Sequence, residues 1–146
     1  MSSDCIFCKI AAGEEHACRI FEDDISIAFL DMRPVFYGHT LLIPKRHFTT
    51  IMEFPDDMIY GFFSNLKLLS RAVEDAMGSQ GIFNAINNRI SQSVPHLHIH
   101  ILPRSKGDGM RHFLWPRKQY ENMDEAMKTA ENISRTIERL KNAPTD

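Results

Sequence analysis

Three observations predict an α+β domain built on an antiparallel sheet. Short apolar runs broken by proline and glycine fill the first third of the chain, a single long stretch then repeats every three or four residues, and two further short apolar runs follow it. The connections within each group of runs are too short for parallel crossovers. A sheet of about five strands is expected, with one long helix and a C-terminal helix packed on one face, in a single domain over residues 1–146.

The elements follow in order. Residues 25–30 and 40–43 have strand character, and Pro34 and Gly38 mark the connection between them. From Pro55 the period changes: Ile59, Phe62, Phe63, Leu66, Leu69, Val73, Ala76 and Met77 form the stripe of a long amphipathic helix. Pro55 suits a first helical position, Asp56 and Asp57 suit the positive end of the dipole, and Gly78 stops the helix. Residues 81–87 and 96–102 are two more strands, joined by a polar loop over 88–93. A second helical stretch over 124–140 carries Ala126, Met127, Ile133, Ile137 and Leu140, and the tail over 141–146 is expected to fray.

The composition excludes several classes of function. The chain has 146 residues, 43% of them hydrophobic and 25% charged, as in an ordinary globular protein. A net charge of −2 gives no bulk attraction to a nucleic-acid polymer or an anionic membrane, so phosphate recognition must be local. No apolar run approaches the ~20 residues of a membrane span. Met1-Ser2-Ser3-Asp4 lacks the basic region of a secretory signal, and three cysteines are an odd number for a disulfide framework. A cytoplasmic protein with reduced thiols is expected.

The most informative stretch is Pro95-His96-Leu97-His98-Ile99-His100-Ile101-Leu102. A period of two on a strand sends His96, His98 and His100 to one face and Leu97, Ile99 and Ile101 to the other. A single ion cannot hold all three imidazoles, because His96 and His100 would stand roughly 13 Å apart at ~3.3 Å per residue. A row of histidines merely decorating a solvated face is the bland alternative, and nothing about packing requires three. The remaining reading is catalytic: the middle imidazole acts as nucleophile or base, and its neighbours orient it or bind substrate anions. Asn87, Asn88, Ser91, Gln92 and Ser93 supply amide and hydroxyl groups beside the row.

Cys5-Ile6-Phe7-Cys8 is a C-x-x-C pair. A redox reading wants this pair at a helix start after a strand. A metal reading needs two further ligands, for which His47 and His96 are the best candidates, and a closed Cys₂His₂ set is structural. His16, His39 and His112 have no patterned neighbours and are read as ordinary histidines, and Cys18 as a small buried residue.

His96-Leu97-His98-Ile99-His100-Ile101-Leu102 resembles the signature of the histidine triad (HIT) superfamily, histidine alternating with hydrophobic residues and closed by two more. Cys5-Ile6-Phe7-Cys8-Lys9-Ile10 is similar to the opening of bacterial members. Residues 28–34 and 38–47 look like the family's second and third strands, and Gln92-Ser93-Val94-Pro95 like the approach to the triad. The likeness covers about residues 4–104 and leaves 105–146 as a C-terminal extension. It implies a nucleotidyl hydrolase or transferase cleaving a nucleoside monophosphate from a leaving group, as in phosphoramidates, adenylylated amines or dinucleoside polyphosphates. His98 would form a covalent nucleotidyl-histidine, and His100, Gln92 and Ser93 would hold the phosphate oxygens. Asp31 would receive the ribose hydroxyls, Ile6, Phe7 and Phe29 would sandwich a purine base, and Asn88 would stand at the polar rim. The resemblance further implies structural zinc on Cys5, Cys8, His47 and His96, no organic cofactor, and a homodimer.

Two departures stand out. The loop over 88–92 is shorter than is usual, with Ser91 where glycine is typical; Arg89 is either a substitute phosphate ligand or a solvated loop charge. In the extension, Trp115 and Arg117 are candidate contacts for a leaving group. A nucleotide-binding or scaffold module with negligible turnover is the alternative reading.

Overall fold

A computed structural model describes residues 4–110 and 119–142. The chain divides into two compact units, Met1–Asp108 and Gly109–Asp146. The first unit contains helix α1 (Ile6–Ala12), strands β1 (Arg19–Glu22), β2 (Ser26–Leu30) and β3 (Thr40–Pro44), helix α2 (Asp56–Met77), and strands β4 (Gly81–Ile86) and β5 (Ile99–Arg104). The second contains helix α3 (Met123–Lys141). All strand pairs are antiparallel, in the order β1-β2-β3-β5-β4. The expected α+β class is what forms. Trp115, Arg117 and His112 lie outside the described residues.

Local chemistry accounts for the boundaries. Pro55 precedes α2 in an extended conformation rather than entering it, Asp56 and Asp57 occupy the first turn, and Gly78 ends the helix in the left-handed region at φ 59. Asp23 makes the β1–β2 turn by accepting from the Ile25 and Ser26 amides at 2.9 and 2.7 Å. Asn65 on α2 donates to Asp23 at 2.6 Å and to Ser26 at 2.9 Å, tying the helix to that hairpin. On α3, Asn122 caps the N-terminus through the Glu125 amide at 2.9 Å.

Two elements lie outside the sequence reading. α1 is seven residues long and has no side-chain cap, so it lacks the length and the cap that mark a helix in sequence. β1 is an exposed edge strand without apolar alternation, and its register shifts between Arg19 and Phe21. One boundary also moves. β5 begins at Ile99, so His96, Leu97 and His98 lead into the strand rather than forming part of it.

The sheet separates two cores. On one face Leu97, Ile99 and Ile101 pack with Ala28, Leu42 and the α2 residues Phe62, Leu69 and Val73. On the other, Phe7, Cys8 and Ile10 of α1 pack with Ile27, Phe29, Leu41 and Ile43. The alternation that predicted two faces therefore persists through the bend before β5. The aliphatic side chains lie under α2, and the rings of His96 and His98 meet Phe7 on the α1 face, with centroids 5.9 and 5.3 Å apart.

Candidate functional site

α1 and the two segments that enter and leave the central strands build a four-residue cluster. Cys5 caps α1 and Cys8 lies one turn on. His47 follows β3, with its Nδ1 3.3 Å from Cys8 Sγ. His96 Nδ1 stands 3.5 Å from Cys5 Sγ and 3.6 Å from Cys8 Sγ. All four donor atoms lie within 4.8 Å of one another, and Cys5, Cys8 and His96 are buried.

The donor set fits a metal ion. A tetrahedral ion with bonds of about 2.0–2.3 Å needs donor–donor edges of about 3.3–3.8 Å, which matches the three separations. The His96 tautomer fits as well. Its Nε2–H donates to the Pro44 carbonyl at 2.9 Å, which leaves the Nδ1 lone pair aimed at the thiols. Burial, with repulsion from His47 and His98, lowers the His96 pKa to about 4 against the Pro44 hydrogen bond, so the ring is neutral near pH 7. The redox reading had required a helix start after a strand; α1 provides the start but comes before every strand of the described residues. Each thiol also faces imidazole nitrogen, and the cysteines form no disulfide among the described residues.

Hydrogen bonds fix the remaining histidines in turn. His98 Nδ1–H donates to the His96 carbonyl at 2.7 Å, so its Nε2 carries a free lone pair. The Val35 amide can only donate, and it donates to His39 Nδ1 at 3.2 Å. His39 must therefore hold its proton on Nε2, which donates to His100 Nδ1 at 2.9 Å. His100 is left with its proton on Nε2. Asp31 Oδ2 lies 3.7 Å from His39 Nδ1, flanking the pair. Burial, then repulsion from His98 and His39, lowers the His100 pKa to about 4 against the pull of Asp31. Burial lowers His39 also, and Asp31 opposes it.

Asp31, His39 and His100 have ligand atoms close enough to hold an ion. The hydrogen-bond chain argues for a proton-bearing trio instead. A shared ion would break the His39–His100 bond and set the displaced His39 proton against the Val35 amide.

A cavity of about 630 Å³ opens beside this row, a size suited to a nucleotide-sized ligand. Its lining includes Ile6, Phe7, Phe29, Asp31, Leu41 and Ser93. Asp31 belongs both to the cavity wall and to the histidine trio, which joins the two. The histidines of the row do not line the cavity: His98 is 2% exposed, and Phe7 stands between its ring and the wall residue Phe29, 5.3 Å from one and 5.6 Å from the other. His98 and His100 are themselves adjacent, with centroids 5.0 Å apart.

The polar loop behaves differently from Ser93. Asn88 Oδ1 accepts from the Ile51 amide at 2.9 Å. Gln92 accepts from the Arg89 amide at 2.8 Å and donates to the Thr49 carbonyl at 2.6 Å, so both ends of its amide are engaged by the backbone. Ser91 stands at φ 58 and Arg89 at φ 71, a left-handed backbone in which glycine is unstrained.

His39 is the residue that sequence reasoning missed, along with Glu15, His16, Met32 and Arg33 on the cavity wall. Leu41 pairs with His100 across β3 and β5, and His39 is two residues before Leu41, which puts it on the same face. That pairing was the missing signal.

The HIT domain matches residues 12–107 of the chain. The Bacillus subtilis "Protein hit" is 42% identical over 112 residues, covering 74% of this chain and 77% of that protein. "Adenylylsulfatase HINT3" of Arabidopsis thaliana is 38% identical over 110 residues, covering 74% of this chain and 56% of its own length. "Adenosine 5'-monophosphoramidase hnt1" of Schizosaccharomyces pombe is 35% identical over 115 residues, covering 77% and 83%. In three dimensions, SMU.412c from Streptococcus mutans aligns with a TM-score of 0.86 at 30% identity, over 94% of this chain and 87% of its own. A Zn-bound histidine triad family protein from Mycobacterium smegmatis aligns with a TM-score of 0.68 at 29% identity, over 93% and 97%. The chain belongs to the HIT domain family.

Proposed function

We propose that this protein hydrolyses nucleoside monophosphates linked to a leaving group through phosphoramidate or phosphoanhydride bonds, by way of a covalent nucleotidyl-His98. The observation that carries the proposal is the chain of fixed tautomers. It leaves a bare nitrogen on His98 and an N–H on His100, side by side, next to a cavity that shares Asp31. Relatives named for adenylylsulfatase and adenosine monophosphoramidase activity support the same class of reaction.

In the first step the His98 Nε2 lone pair attacks the α-phosphorus, the bond to the leaving group breaks, and that group departs with the electron pair and takes up a proton. The His96 carbonyl steadies the positive charge on the nucleotidyl imidazole through the Nδ1–H. His100 Nε2–H donates to a phosphate oxygen as charge builds there. Water then attacks the phosphorus, the P–N bond breaks, a proton is lost to solvent, and His98 is regenerated. Ile6, Phe7 and Phe29 receive a purine, Asp31 the ribose hydroxyls, and Ser93 a phosphate oxygen. Cys5, Cys8, His47 and His96 would hold zinc, which as a closed four-ligand site would organise the fold without touching the substrate.

The test is trapping with an adenosine phosphoramidate labelled in the adenylyl group. Acid-labile label on wild type, absent from His98→Ala, is the expected result. Turnover is expected to fall by about 10⁴-fold or more in that variant, as when a covalent nucleophile is removed. The second reading is a binding module, favoured by the commitment of both ends of the Gln92 amide to backbone groups. Nucleoside monophosphate binding with neither label nor product release would establish it instead.

A further inference from the structure

The cavity wall carries two charges that the proposed chemistry leaves unused. Ile6 and Ile10 line the cavity from α1 and Phe29 lines it from β2, and residues 13–18 cross from the one element to the other. The crossing is pinned at both ends. Gly13 turns the chain out of α1 at φ 79, and the Glu14 and Glu15 amides both donate to the Lys9 carbonyl, at 2.9 and 3.3 Å. At the far end the Leu30 amide donates to the Cys18 carbonyl at 3.0 Å, which lays the crossing beside the end of β2. The Arg19 guanidinium donates to the Ile10 carbonyl and ties the start of β1 back to α1. Glu15 and His16 thus reach the wall from the crossing, and Met32 and Arg33 from the segment that follows β2.

Besides Asp31, Glu15 and Arg33 are the charged residues on this wall. Among the described residues each bonds through its backbone amide alone, Arg33 to Asp31 at 2.8 Å and Glu15 to Lys9, so carboxylate and guanidinium are both left for a ligand. A carboxylate only accepts and a guanidinium only donates, whereas the His16 imidazole does both and makes no choice. A purine is where that choice is sharp. Guanine presents N1–H and the N2 amino group side by side, two donors for one carboxylate, and O6 beside N7, two acceptors for one guanidinium. Adenine sets a bare N1 where the carboxylate needs a donor, and the N6 amino group where the guanidinium needs an acceptor.

We propose that the cavity selects guanosine nucleotides, with Glu15 accepting from the N1–H and N2 amino group of the base and Arg33 donating to its O6. The proposal rests on the placement of a purine among Ile6, Phe7 and Phe29 with its ribose on Asp31. It adds a choice of base, which apolar walls alone do not make, because guanine and adenine offer them faces of nearly equal area.

The test measures binding of GMP, IMP and AMP to the full-length protein by calorimetry, beside turnover of guanosine and adenosine 5'-phosphoramidates. GMP is expected to bind about 10-fold tighter than AMP. IMP keeps N1–H and O6 but lacks the N2 amino group, and falls between them. Glu15→Gln offers a donor as well as an acceptor and is expected to bring the GMP-to-AMP ratio close to one. Arg33→Leu weakens GMP and IMP alike and spares AMP. Equal affinities for GMP and AMP in the wild type, or a ratio that either variant leaves unmoved, overturns the proposal. Guanine preference in binding with no turnover of either phosphoramidate upholds the choice of base and sinks the hydrolase; turnover with equal affinities does the reverse.

Discussion

His39 Nε2 lies 2.9 Å from His100 Nδ1, and the Val35 amide on the far side of His39 decides which of the two rings donates. A backbone N–H thereby sets, through an intervening imidazole, the tautomer of a residue proposed to hold the phosphate. His39→Leu removes that control and is expected to lower kcat about 10- to 100-fold, the usual effect of losing an orienting partner, with KM little changed. His39→Gln can still donate from its amide and is expected to recover part of the loss. A pH–rate profile should separate the variants, because free tautomer exchange at His100 alters the acid limb. Equal loss in both, with an unchanged profile, would mean that His39 serves packing alone.

The Cys₂His₂ cluster predicts about one zinc per chain, falling close to zero in a Cys5→Ser/Cys8→Ser double variant. Removing a ligand of the folded state lowers apparent stability by mass action, so chelation should lower the Tm of the wild type and leave that of the double variant unmoved. Metal analysis beside a thermal melt reads both. Full zinc occupancy in the double variant would place the ion elsewhere.

Acid should destabilise the fold through the histidine trio. In the folded chain His100 protonates only near pH 4, against 6.5 ordinarily, and His39 shifts in the same direction. The unfolded chain therefore binds protons first as pH falls. The contribution of these rings is full above about pH 6.5 and is lost progressively toward pH 4. Urea midpoints at pH 7 and pH 5 should fall further apart in wild type than in a His39→Leu/His100→Leu variant.

Gly38 sets up the same trio from the backbone. It stands at φ 89, directly before His39, and a Cβ there would sit 2.6 Å from Met77 Cγ. Gly38→Ala is expected to cost about 1–3 kcal/mol through the left-handed backbone, measurable as a lower urea midpoint. It should also slow turnover by displacing His39.

The legible parts of the site were those written as local patterns. The two faces of the 96–102 segment followed from a period of two, and α2 from a period near 3.6, because both depend only on neighbours in sequence. His47 and His96 were named as candidate partners for the cysteines from their places at a strand end and at the edge of the histidine row, and the family resemblance implied the same set. His39 was not found, because its value comes from the pairing of Leu41 with His100 across β3 and β5, fifty-nine positions apart in the chain. The structure assigns α1 and β1 through contacts as well: one is too short to announce itself, and the other is an exposed edge. The Asn88–Gln92 amides were read as free for a ligand, since composition does not reveal that the Ile51 and Arg89 amides and the Thr49 carbonyl already use them.

The ring of His96 faces the thiols while its own carbonyl oxygen receives the His98 proton. One residue thus belongs to both centres. An ion that touches no substrate would then behave in an assay as an essential cofactor, since stripping it would slacken the carbonyl that holds the proposed nucleophile, His98. The telling sign of such a spectator is indifference to its identity. Cobalt or cadmium in the same tetrahedron should restore turnover as well as zinc does, although their Lewis acidities differ.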